Sequence, residues 1–446
     1  MREFARVADS RFAVLGEPAA MQVDVLIFGG GAAGLWLLDE LARRGDRVLL
    51  LEAARLGAGQ TIASQGIIHG GLKYTLHGAL TPSAMQIREM PGLWRDCLAG
   101  RRLPDLRGVR LRAAACHLWR TDSLGSRLGM IGARVGLRVA PQVVSTDERP
   151  IALAGCPGTV ARLDEPVLAP ESLLAALVAG NARRVLHIDP SQLEIDRAAG
   201  TVRRVQLTDP ATGRRLQIEP RHVVLTAGRG NADLRTRAGL PITVMQTRPL
   251  HMVLVRGDLP HLNGHCVDGR TTRVTITSDT ERSDTGASDC DAAGRTVWQV
   301  GGQIAEIGVG LDERSLLARA ADELAAVIPG LDLKRVEWAT YRVDRAEQAT
   351  PGGKRPETAG ILHEGNVITA WPTKLALVPC LAERILELLP AAAAGSATTG
   401  SATAGSPDDA EIGDEWPRAT IAALPWEVSR TWYATRDLPQ AARHAA

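Results

Sequence analysis

Three glycines and one glutamate carry the first chemical signal in the chain. Gly29, Gly31 and Gly34 follow one another in the order G-x-G-x-x-G, directly after an apolar run at positions 23–28. At this spacing the first glycine makes a tight turn, the second lets a pyrophosphate approach the backbone, and the third lets a helix pack closely on a strand. Glu52 comes 18 residues after Gly34, where its carboxylate can accept hydrogen bonds from a ribose hydroxyl. This glycine series predicts a dinucleotide site, and the acid disfavours the 2′-phosphate of NADP.

A second stretch, residues 59–74, places a histidine in a glycine-rich segment. It reads GQTIASQGIIHGGLKY, which contains too many glycines for a stable helix. A backbone this permissive usually passes close to a ligand or to another backbone. His69 can take up a hydroxyl proton, because imidazole titrates near neutral pH, or it can only hydrogen-bond a cofactor or the backbone. Tyr74 is a weaker candidate for a substrate contact.

Cationic side chains in two later segments could bind the anionic part of a substrate. Arg248 and His251 lie in the segment TRPLHMV, and Arg342 and Arg345 lie in YRVDRAE. An arginine can hold a carboxylate or a phosphate through two parallel hydrogen bonds. The alternative for each arginine is a structural ion pair with an acid of the protein itself.

The amino-acid composition indicates which nucleic-acid and metal partners to expect. The 52 basic and 50 acidic residues leave a net charge of +2, which gives no reason to expect a nucleic-acid partner. The six cysteines are scattered without a C-x-x-C pair, which argues against structural zinc and fits a reducing cytoplasm. Five acids share the polar loop 278–295, but their spacing repeats no ligand pattern, so we predict no metal site.

The sequence predicts no membrane-spanning segment. No apolar run approaches the roughly 18 residues that a transmembrane helix needs. The charged N-terminal residues do not form a signal peptide. We expect a cytoplasmic protein, and contact with a membrane surface stays open.

A βαβ unit and a second sheet must position these residues. The glycine series lies between predicted strands at 23–28 and 48–51, with a helix between them. Segments of β-type composition at 245–255, 273–277 and 296–301 predict the second sheet.

Further along, predicted helices cover 83–98, which Pro91 must kink or split, 123–139, 315–328 and 374–389. A low-complexity segment then leads to a tail in which Trp416, Trp426 and Trp432 recur, and we expect this tail to pack on the body.

Together these stretches resemble FAD-dependent oxidoreductases of the D-amino-acid oxidase/glycerol-3-phosphate dehydrogenase superfamily. The resemblance rests on the glycine series with Glu52, on residues 59–74, on Thr-Ala-Gly at 226–228, and on YRVDRAE with the strand and helix after it. The second stretch is closest in form to 2-hydroxyglutarate oxidase-like members, with a serine, two aliphatic residues and His-Gly-Gly. Where many relatives have a glycine-rich turn before the last helix, this chain has Thr373 and Lys374; some amine-oxidising relatives have Phe-Lys there.

The resemblance implies an α/β fold with a Rossmann-like FAD-binding domain and a discontinuous mixed β-sheet substrate domain. Residues 22–108, 155–240 and 343–390 would form the first domain, and residues 109–154 and 241–342 the second. An N-terminal arm (1–21), a linker (391–413) and the tail (414–446) would flank them.

The resemblance also implies roles for particular residues. His69, Arg342 and Lys374 would be catalytic, with Lys374 stabilising the charge of the reduced flavin from beside a helix start. Tyr74, Arg248, His251 and Arg345 would contact the substrate. Contacts to FAD would come from Gly29, Gly31, Ala32, Ala33, Gly34, Glu52, Ala53, Gln60, Thr61, Ser64, Gln65, Gly66, Ile67, Ala227, Gly228, Thr373 and Lys374.

The implied reaction is hydride transfer to flavin N5 from a C–H bond next to a hydroxyl or an amine. The substrate would be a small anion, such as a 2-hydroxy acid, an amino acid or a polyol phosphate, and oxygen or a quinone would accept the electrons. Two alternatives remain open from the residues. One is an NAD-dependent dehydrogenase with the same glycine series, and the other is a non-catalytic FAD-binding subunit of a modification system.

Overall fold

The glycine series lies in the crossover between the first two strands. β1 (Met21–Phe28) and β2 (Val48–Glu52) are parallel neighbours, and helix α1 (Ala32–Arg44) connects them. Gly31 is the extended residue before α1, and Gly45 ends the helix in the left-handed conformation, with a φ of 91°. Glycine tolerates this conformation because it has no Cβ. The predicted βαβ unit is confirmed.

The computed structural model describes residues 20–71, 82–121, 142–198, 200–269, 271–281, 295–390 and 416–439. The other strands in these ranges are β3 (Leu111–Ala113), β4 (Cys116–Trp119), β5 (Gln142–Val143), β6 (Val160–Leu163), β7 (Val167–Leu168), β8 (Val185–His187), β9 (Leu193–Ala198), β10 (Thr201–Thr208), β11 (Arg215–Leu225), β12 (Met245–Gly257), β13 (Gly264–Asp268), β14 (Thr271–Thr280), β15 (Thr296–Gly301), β16 (Glu337–Gln348), β17 (Gly360–Glu364), β18 (Val367–Trp371) and β19 (Tyr433–Ala434). The other helices are α2 (Pro82–Leu98), α3 (Pro170–Ala179), α4 (Asn231–Arg237), α5 (Gln303–Ile307), α6 (Glu313–Val327), α7 (Val378–Leu388) and α8 (Pro425–Val428). None of the described helices combines the length and the apolar character needed to cross a membrane.

An eight-stranded sheet contains β1 and β2. Its order is β17-β18-β11-β1-β2-β8, and the hairpin β9–β10 pairs with β11. The pairings from β18 through β8 are parallel. Apolar residues of α1, α3 and α7 pack with Ile27 and Leu50 on one face, while Leu26 and Leu49 face a second core. This α/β arrangement is the predicted Rossmann-like fold.

A nine-stranded sheet, in the order β19-β16-β12-β15-β14-β13-β4-β6-β5, has two different faces. On one face Val253 and Trp298 pack with apolar residues of α6, and we name it the helix-covered face. On the other face Leu254 and Ala339 join the core that includes α1, and we name it the inner face. Because successive side chains of a strand alternate, each residue of this sheet belongs to one face or the other.

The tail, residues 416–439, contacts both sheets. The Trp416 indole N–H donates to the His187 carbonyl at the edge of the first sheet, at 3.0 Å. Leu56, just after β2, forms a parallel bridge with Ile421. β19 pairs with β16 at the edge of the second sheet.

Two predicted helices differ from the structure. Helix α2 runs through Pro91 as one element, so the proline does not split it. The last helix begins at Val378 rather than at Lys374, and Pro379 occupies its first turn, where a missing N–H breaks no helical hydrogen bond.

Several predictions lie outside the described residues. They are Tyr74, the helix at 123–139, most of the N-terminal arm, most of the polar loop and the linker. The domain boundaries stay a proposal, in which we assign β6 and the whole of β16 to the second domain, because both pair within the nine-stranded sheet.

Candidate active site

Backbone atoms fill the space around the glycine series. Gly29 has a φ of 103°, and a Cβ on it would lie 2.5 Å from the Cα of Ala227 at the end of β11. A Cβ on Gly34 would lie 2.0 Å from the carbonyl oxygen of Gly29. Glycine is therefore required at both positions for α1 to start against the sheet. The first turn of α1 includes Ala33, and a helix N-terminus can bind an anion through N–H groups that no helical hydrogen bond uses.

Glu52 holds the glycine series from the end of β2. Its Oε2 accepts from the Gly30 N–H at 2.6 Å, and its Oε1 accepts from the Ala54 N–H at 2.8 Å. Thr61 reaches the same loop, where its Oγ1 accepts from the Ala32 N–H at 3.1 Å. The carboxylate thus lies at the carboxyl end of a parallel strand, where open α/β sheets bind their ligands.

A cavity of about 290 Å³ opens beside Glu52, at the ends of β2 and β8. Ala53 and His187 line one side of it, and Trp416 lines another. The His187 Nδ1 is buried and has no hydrogen-bond partner within the described part of the chain. Sequence analysis identified Ala53 but missed His187 and Trp416, because no spacing links the tail to β8.

Residues 59–71, which we name the lining stretch, cross the inner face of the nine-stranded sheet. The Ala63 carbonyl accepts from the Tyr341 hydroxyl of β16 at 2.9 Å. The Gln65 Nε2 donates to the carbonyls of Thr275 and Gln299, both at 2.9 Å. These contacts lead from β16 toward β14.

The lining stretch also packs against β7. Gly66 has a φ of 75°, and a Cβ on it would lie 1.9 Å from the Leu168 carbonyl oxygen. Ile67 forms a bridge with Val167. The lining stretch thus contacts β7 on one side and the nine-stranded sheet on the other, and these contacts fix its path across the sheet.

Gln60 links the lining stretch to the glycine series, Glu52 and Gly228, which together we name the nucleotide end. A Cβ added to Gly228 would lie 3.4 Å from the Gln60 Nε2. The structure therefore gathers the predicted residues Gln60, Thr61, Ala227 and Gly228 around the glycine series.

His69 ends the lining stretch beside a buried carboxylate that sequence analysis missed. Its Nδ1 lies 3.5 Å from the Oε2 of Glu165, which is in the turn between β6 and β7. The Nε2 of His265 lies 3.9 Å from the same oxygen, and the two imidazole rings are 5.4 Å apart. The Gly70 N–H donates to the Oε1 of Glu165 at 2.6 Å.

Glu165 is ionised in this setting. Burial alone would raise the pKa of its carboxyl, but the hydrogen bond and charge of His69, the charge of His265 and the Gly70 N–H together hold that pKa below its usual range. A carboxylate buried this deeply needs such partners, because desolvation strongly disfavours an unpaired charge. One potential metal-ligand atom from each of Glu165, His69 and His265 lies within 4.8 Å of the other two. Experiments on these residues therefore need a control with a chelator, which tests whether a bound metal ion contributes.

A second buried group on the inner face is Arg112, which the sequence analysis also missed. Its side chain is 1% exposed, and its Nε donates to the Asp279 carboxylate at 2.8 Å. Its Nη1 donates to the Gln299 Oε1 at 3.0 Å, and its guanidinium lies 5.2 Å from the ring centre of Trp426. Arg110 donates to the same carboxylate, so two arginines share Asp279, and Arg112 joins the tail to the sheet on the inner face.

Arg248 and Arg345 are direct neighbours across β12 and β16 on the inner face. Arg248 donates to both carboxylate oxygens of Glu347, at 2.7 and 2.9 Å, which makes it a structural ion pair rather than a substrate clamp. Arg345 is less well balanced, since its contact to the exposed Glu306 is 3.7 Å. Burial and the charge of Arg248 lower the pKa of Arg345 to about 10.

The position of Arg345 argues against a substrate contact shared with His69. Four strand spacings of about 4.8 Å separate β16 from β13, which carries His265, so the two ends of the inner face are roughly 19 Å apart. The adjacent Asp344 pairs with Arg229, which directly follows Gly228, but the Asp344 side chain points to the opposite face. This contact places the strand β16, and not the Arg345 side chain itself, beside Gly228.

Arg342 and His251 lie on the other face, which corrects their predicted roles. Arg342 follows Tyr341 in β16 and points the opposite way, where it donates to the carbonyls of Val309 and Leu311, both at 3.4 Å. His251 is opposite Arg342 in the register, and its Nδ1 lies 3.0 Å from the Gly308 carbonyl oxygen. Neither side chain can reach the lining stretch through the sheet.

The turn at Thr373 and Lys374 is strained and lies directly before a 3₁₀ turn (Leu375–Leu377) that leads into α7. Thr373 has a φ of 62°, and the Lys374 N–H donates to the Pro372 carbonyl across it at 2.6 Å, which is a γ-turn. Lys374 itself is extended. Lys374 is the residue before this 3₁₀ turn, so the expected helix start beside it is present, although α7 itself begins at Val378. Its role toward FAD stays a prediction.

The residues of the two ends fit a flavin dinucleotide. A Cβ on Gly31 would meet only the Thr61 Oγ1, at 3.1 Å, with no other atom beyond its chain neighbours within 4 Å, so a pyrophosphate can approach the backbone there. In the lining stretch, the Ser64 Oγ is buried and finds no hydrogen-bond partner among the described residues, so a polar group of a ligand can satisfy it.

Comparisons with known proteins agree with this fit. The model of the FAD dependent oxidoreductase (DAO) family matches residues 24–369. A probable FAD-dependent oxidoreductase of Pseudomonas aeruginosa is 40% identical over 380 residues, which cover 83% of this chain and 92% of the relative. The crystal structure of an FAD-dependent oxidoreductase from Pseudomonas aeruginosa gives a TM-score of 0.72 at 34% identity and covers 92% of this chain and 99% of that one. Glycine oxidase from Geobacillus kaustophilus, with a TM-score of 0.57 at 17% identity over 83% of this chain and 95% of its own, shares the fold.

These matches decide what the glycine series left open. They confirm an enzyme with FAD as its cofactor, and they support neither the NAD-dependent alternative nor the non-catalytic one. The chain belongs to the FAD dependent oxidoreductase (DAO) family.

Proposed function

We propose that the protein oxidises a C–H bond next to a hydroxyl or an amino group of a small anionic substrate, such as a 2-hydroxy acid, an amino acid or a polyol phosphate. The observation that carries this proposal is the pairing of His69, at the end of the lining stretch, with the buried carboxylate of Glu165. It supplies a proton acceptor on the segment that resembles the flavin-lining part of related enzymes. The anionic character of the substrate rests on the resemblance.

FAD would be held along the path that the site residues mark. The N-terminus of α1 would meet the pyrophosphate, and Glu52 would meet the ribose. Arg345 would balance negative charge near Gly228. When bound, FAD supplies the hydride-accepting chemistry. The chain itself then has to hold the substrate carbon beside the lining stretch and take up a proton there.

His69 would be that proton acceptor. Its side chain is 38% exposed, whereas that of Glu165 is 7% exposed, so the imidazole lies between buried charge and open space. A positioned base of this kind typically contributes a factor of about 100 or more to a rate.

Anaerobic bleaching of the bound flavin tests the proposal. The purified protein is mixed without oxygen with 2-hydroxy acids, amino acids and glycerol 3-phosphate, and the loss of flavin absorbance is followed. We expect at least one anionic compound to reduce the flavin, while its neutral amide or dephosphorylated counterpart reduces it far more slowly. Equal reduction by the neutral counterparts would remove the anionic requirement, and no reduction by any compound would contradict the proposed function.

The variant His69→Ala tests the role of the imidazole. We expect the rate of flavin reduction to fall at least about 100-fold, while the protein keeps its FAD. Both are measured on the same preparation, as flavin absorbance per protein and as the single-turnover rate. Unchanged reduction rates would remove His69 from the proposed site.

A further inference from the structure

Glu165 and His265 have no assigned role, although both lie at the side of His69. Glu165 is buried, and each of its oxygens has a defined neighbour: the Gly70 N–H for Oε1 and the His69 imidazole for Oε2. His265 is fixed from its far side, where its Nδ1 lies 2.9 Å from the Thr275 Oγ1. The three side chains come from the lining stretch, the β6–β7 turn and β13.

We propose that Glu165 is a positioning residue that orients His69 to accept a hydroxyl proton, so the oxidised carbon of the substrate carries a hydroxyl group rather than an amine. This inference rests on the proposed function and specifies its substrate class. It extends the site to two residues, Glu165 and His265, that neither the glycine series nor the lining stretch contains.

The geometry fixes which nitrogen of His69 can act. A carboxylate accepts hydrogen bonds and donates none, so the nitrogen that faces Glu165, Nδ1, carries the proton. The lone pair of the imidazole is then on Nε2. In hydrolases a buried carboxylate holds a catalytic histidine in one tautomer in the same way and stabilises the cation that forms.

His265 supports the carboxylate rather than the reaction. Its Nε2 is 3.9 Å from the Glu165 oxygen that also faces His69. Among the described residues, the charges that lower the pKa of Glu165 are those of the two histidines, and burial together with the Glu165 charge raises the pKa of the neighbouring Cys116 thiol. In the described part of the chain, the Glu165 carboxylate therefore lies between two imidazoles.

The chemistry explains why such a pair suits an alcohol. Oxidation of a hydroxyl carbon would break the C–H bond, for which bound FAD would supply the acceptor of the hydride and its two electrons, and the O–H bond, whose proton would go to Nε2 of His69 as the C=O bond forms. A hydroxyl does not release its proton to water near neutral pH, so a base must take it in the chemical step. An ammonium group, in contrast, can lose its extra proton to water before the hydride leaves.

Matched substrate pairs test the substrate class. Anaerobic flavin reduction is measured with lactate and alanine, malate and aspartate, and 2-hydroxyglutarate and glutamate, and with glycerol 3-phosphate. We expect reduction by a hydroxyl compound and none by its amino counterpart. Reduction by the amino acids alone would overturn this inference and leave the proposed function standing. Reduction by neither class would overturn both.

The variant Glu165→Gln tests the positioning role. We expect the limiting reduction rate to fall about 100-fold, with FAD content and binding of the 2-oxo acid product unchanged. Without the carboxylate charge the imidazolium is less stable, so the pH midpoint of the residual rate moves to lower pH. Glu165→Asp, which keeps the charge, should restore the midpoint and part of the rate. His265→Asn should lower the rate only about fivefold, because the His265 Nε2 is 3.9 Å from the Glu165 oxygen, beyond hydrogen-bond distance, and acts on the carboxylate through charge alone.

Glu323→Gln is the matched control. Glu323 lies on α6 and pairs with Arg273 at 2.7 Å, away from the inner face, so its loss should leave rate and midpoint unchanged. An unchanged midpoint in Glu165→Gln with full FAD content would overturn the positioning role. So would activity that a chelator abolishes and a divalent metal ion restores.

Discussion

The two ends of the candidate site are built differently. At the nucleotide end, Gly29 and Gly34 let backbone atoms pack directly against one another, and a ligand there would meet N–H groups of the chain itself. At the other end, His69, Glu165 and His265 bring side chains from three separate segments around one buried charge. The first end depends on shape, and the second depends on the ionisation of each group.

This difference assigns separate tasks to the two ends. A site of backbone N–H groups binds phosphates without any change in protonation, so it sets how tightly FAD is held. A cluster of imidazoles and a carboxylate can move a proton, so it sets how fast bound FAD is reduced. Variants at one end should therefore leave the other property intact.

The largest effect should come from Gly34→Ala. The new Cβ would lie 2.0 Å from the Gly29 carbonyl oxygen, which cannot move without displacing the turn that receives the pyrophosphate. We expect the purified variant to lack most of its FAD, measured as flavin absorbance per protein.

Gly180→Ala is its control. Gly180 is in the right-handed helical conformation, and no atom lies within 4 Å of an added Cβ, so this variant should keep FAD. Full FAD content in Gly34→Ala would show that the nucleotide end does not depend on the shape of the backbone.

The two ends also differ in how far the sequence can predict them. The glycine series and Glu52 lie within one βαβ unit, so their spacing in the sequence fixes their spacing in the fold. Glu165 follows His69 by 96 residues and His265 follows it by 196, and their meeting depends on sheet topology that no local pattern encodes.

The sequence also does not show which face of the nine-stranded sheet is the inner face. Alternation separates Arg342 from Tyr341 and Arg345, but both faces of the sheet are covered by other elements, so hydrophobicity does not reveal which face is the inner one. Only the register of β12 with β16 and the contacts of the lining stretch decide it. The sequence alone therefore does not place Arg342 and Arg345 on different faces.

An effect of intermediate size should distinguish Arg345→Met from Arg342→Met, two variants in the same strand. Loss of Arg345 should weaken FAD binding about 30-fold, the equivalent of ~2 kcal/mol for a charge-assisted hydrogen bond. Loss of Arg342, on the helix-covered face, should change FAD affinity less than twofold. Titration of the apoproteins with FAD, followed by flavin fluorescence, measures both. The opposite ranking would contradict the placement of the two arginines relative to the cofactor.

The smallest effect should come from the tail, through Trp416→Phe. The indole N–H of Trp416 donates to the His187 carbonyl, and the ring lines the cavity beside Glu52. Phenylalanine keeps an aromatic ring but loses one hydrogen bond of ~1 kcal/mol, so FAD should bind at most about fivefold more weakly.

Trp432→Phe is the control. It loses a comparable hydrogen bond, to the Ser429 carbonyl, but Trp432 lies over Arg256, away from the cavity. It should therefore lower thermal stability to a similar degree without changing FAD affinity. If both variants weakened FAD binding equally, the tail would act on the fold as a whole rather than on the nucleotide end.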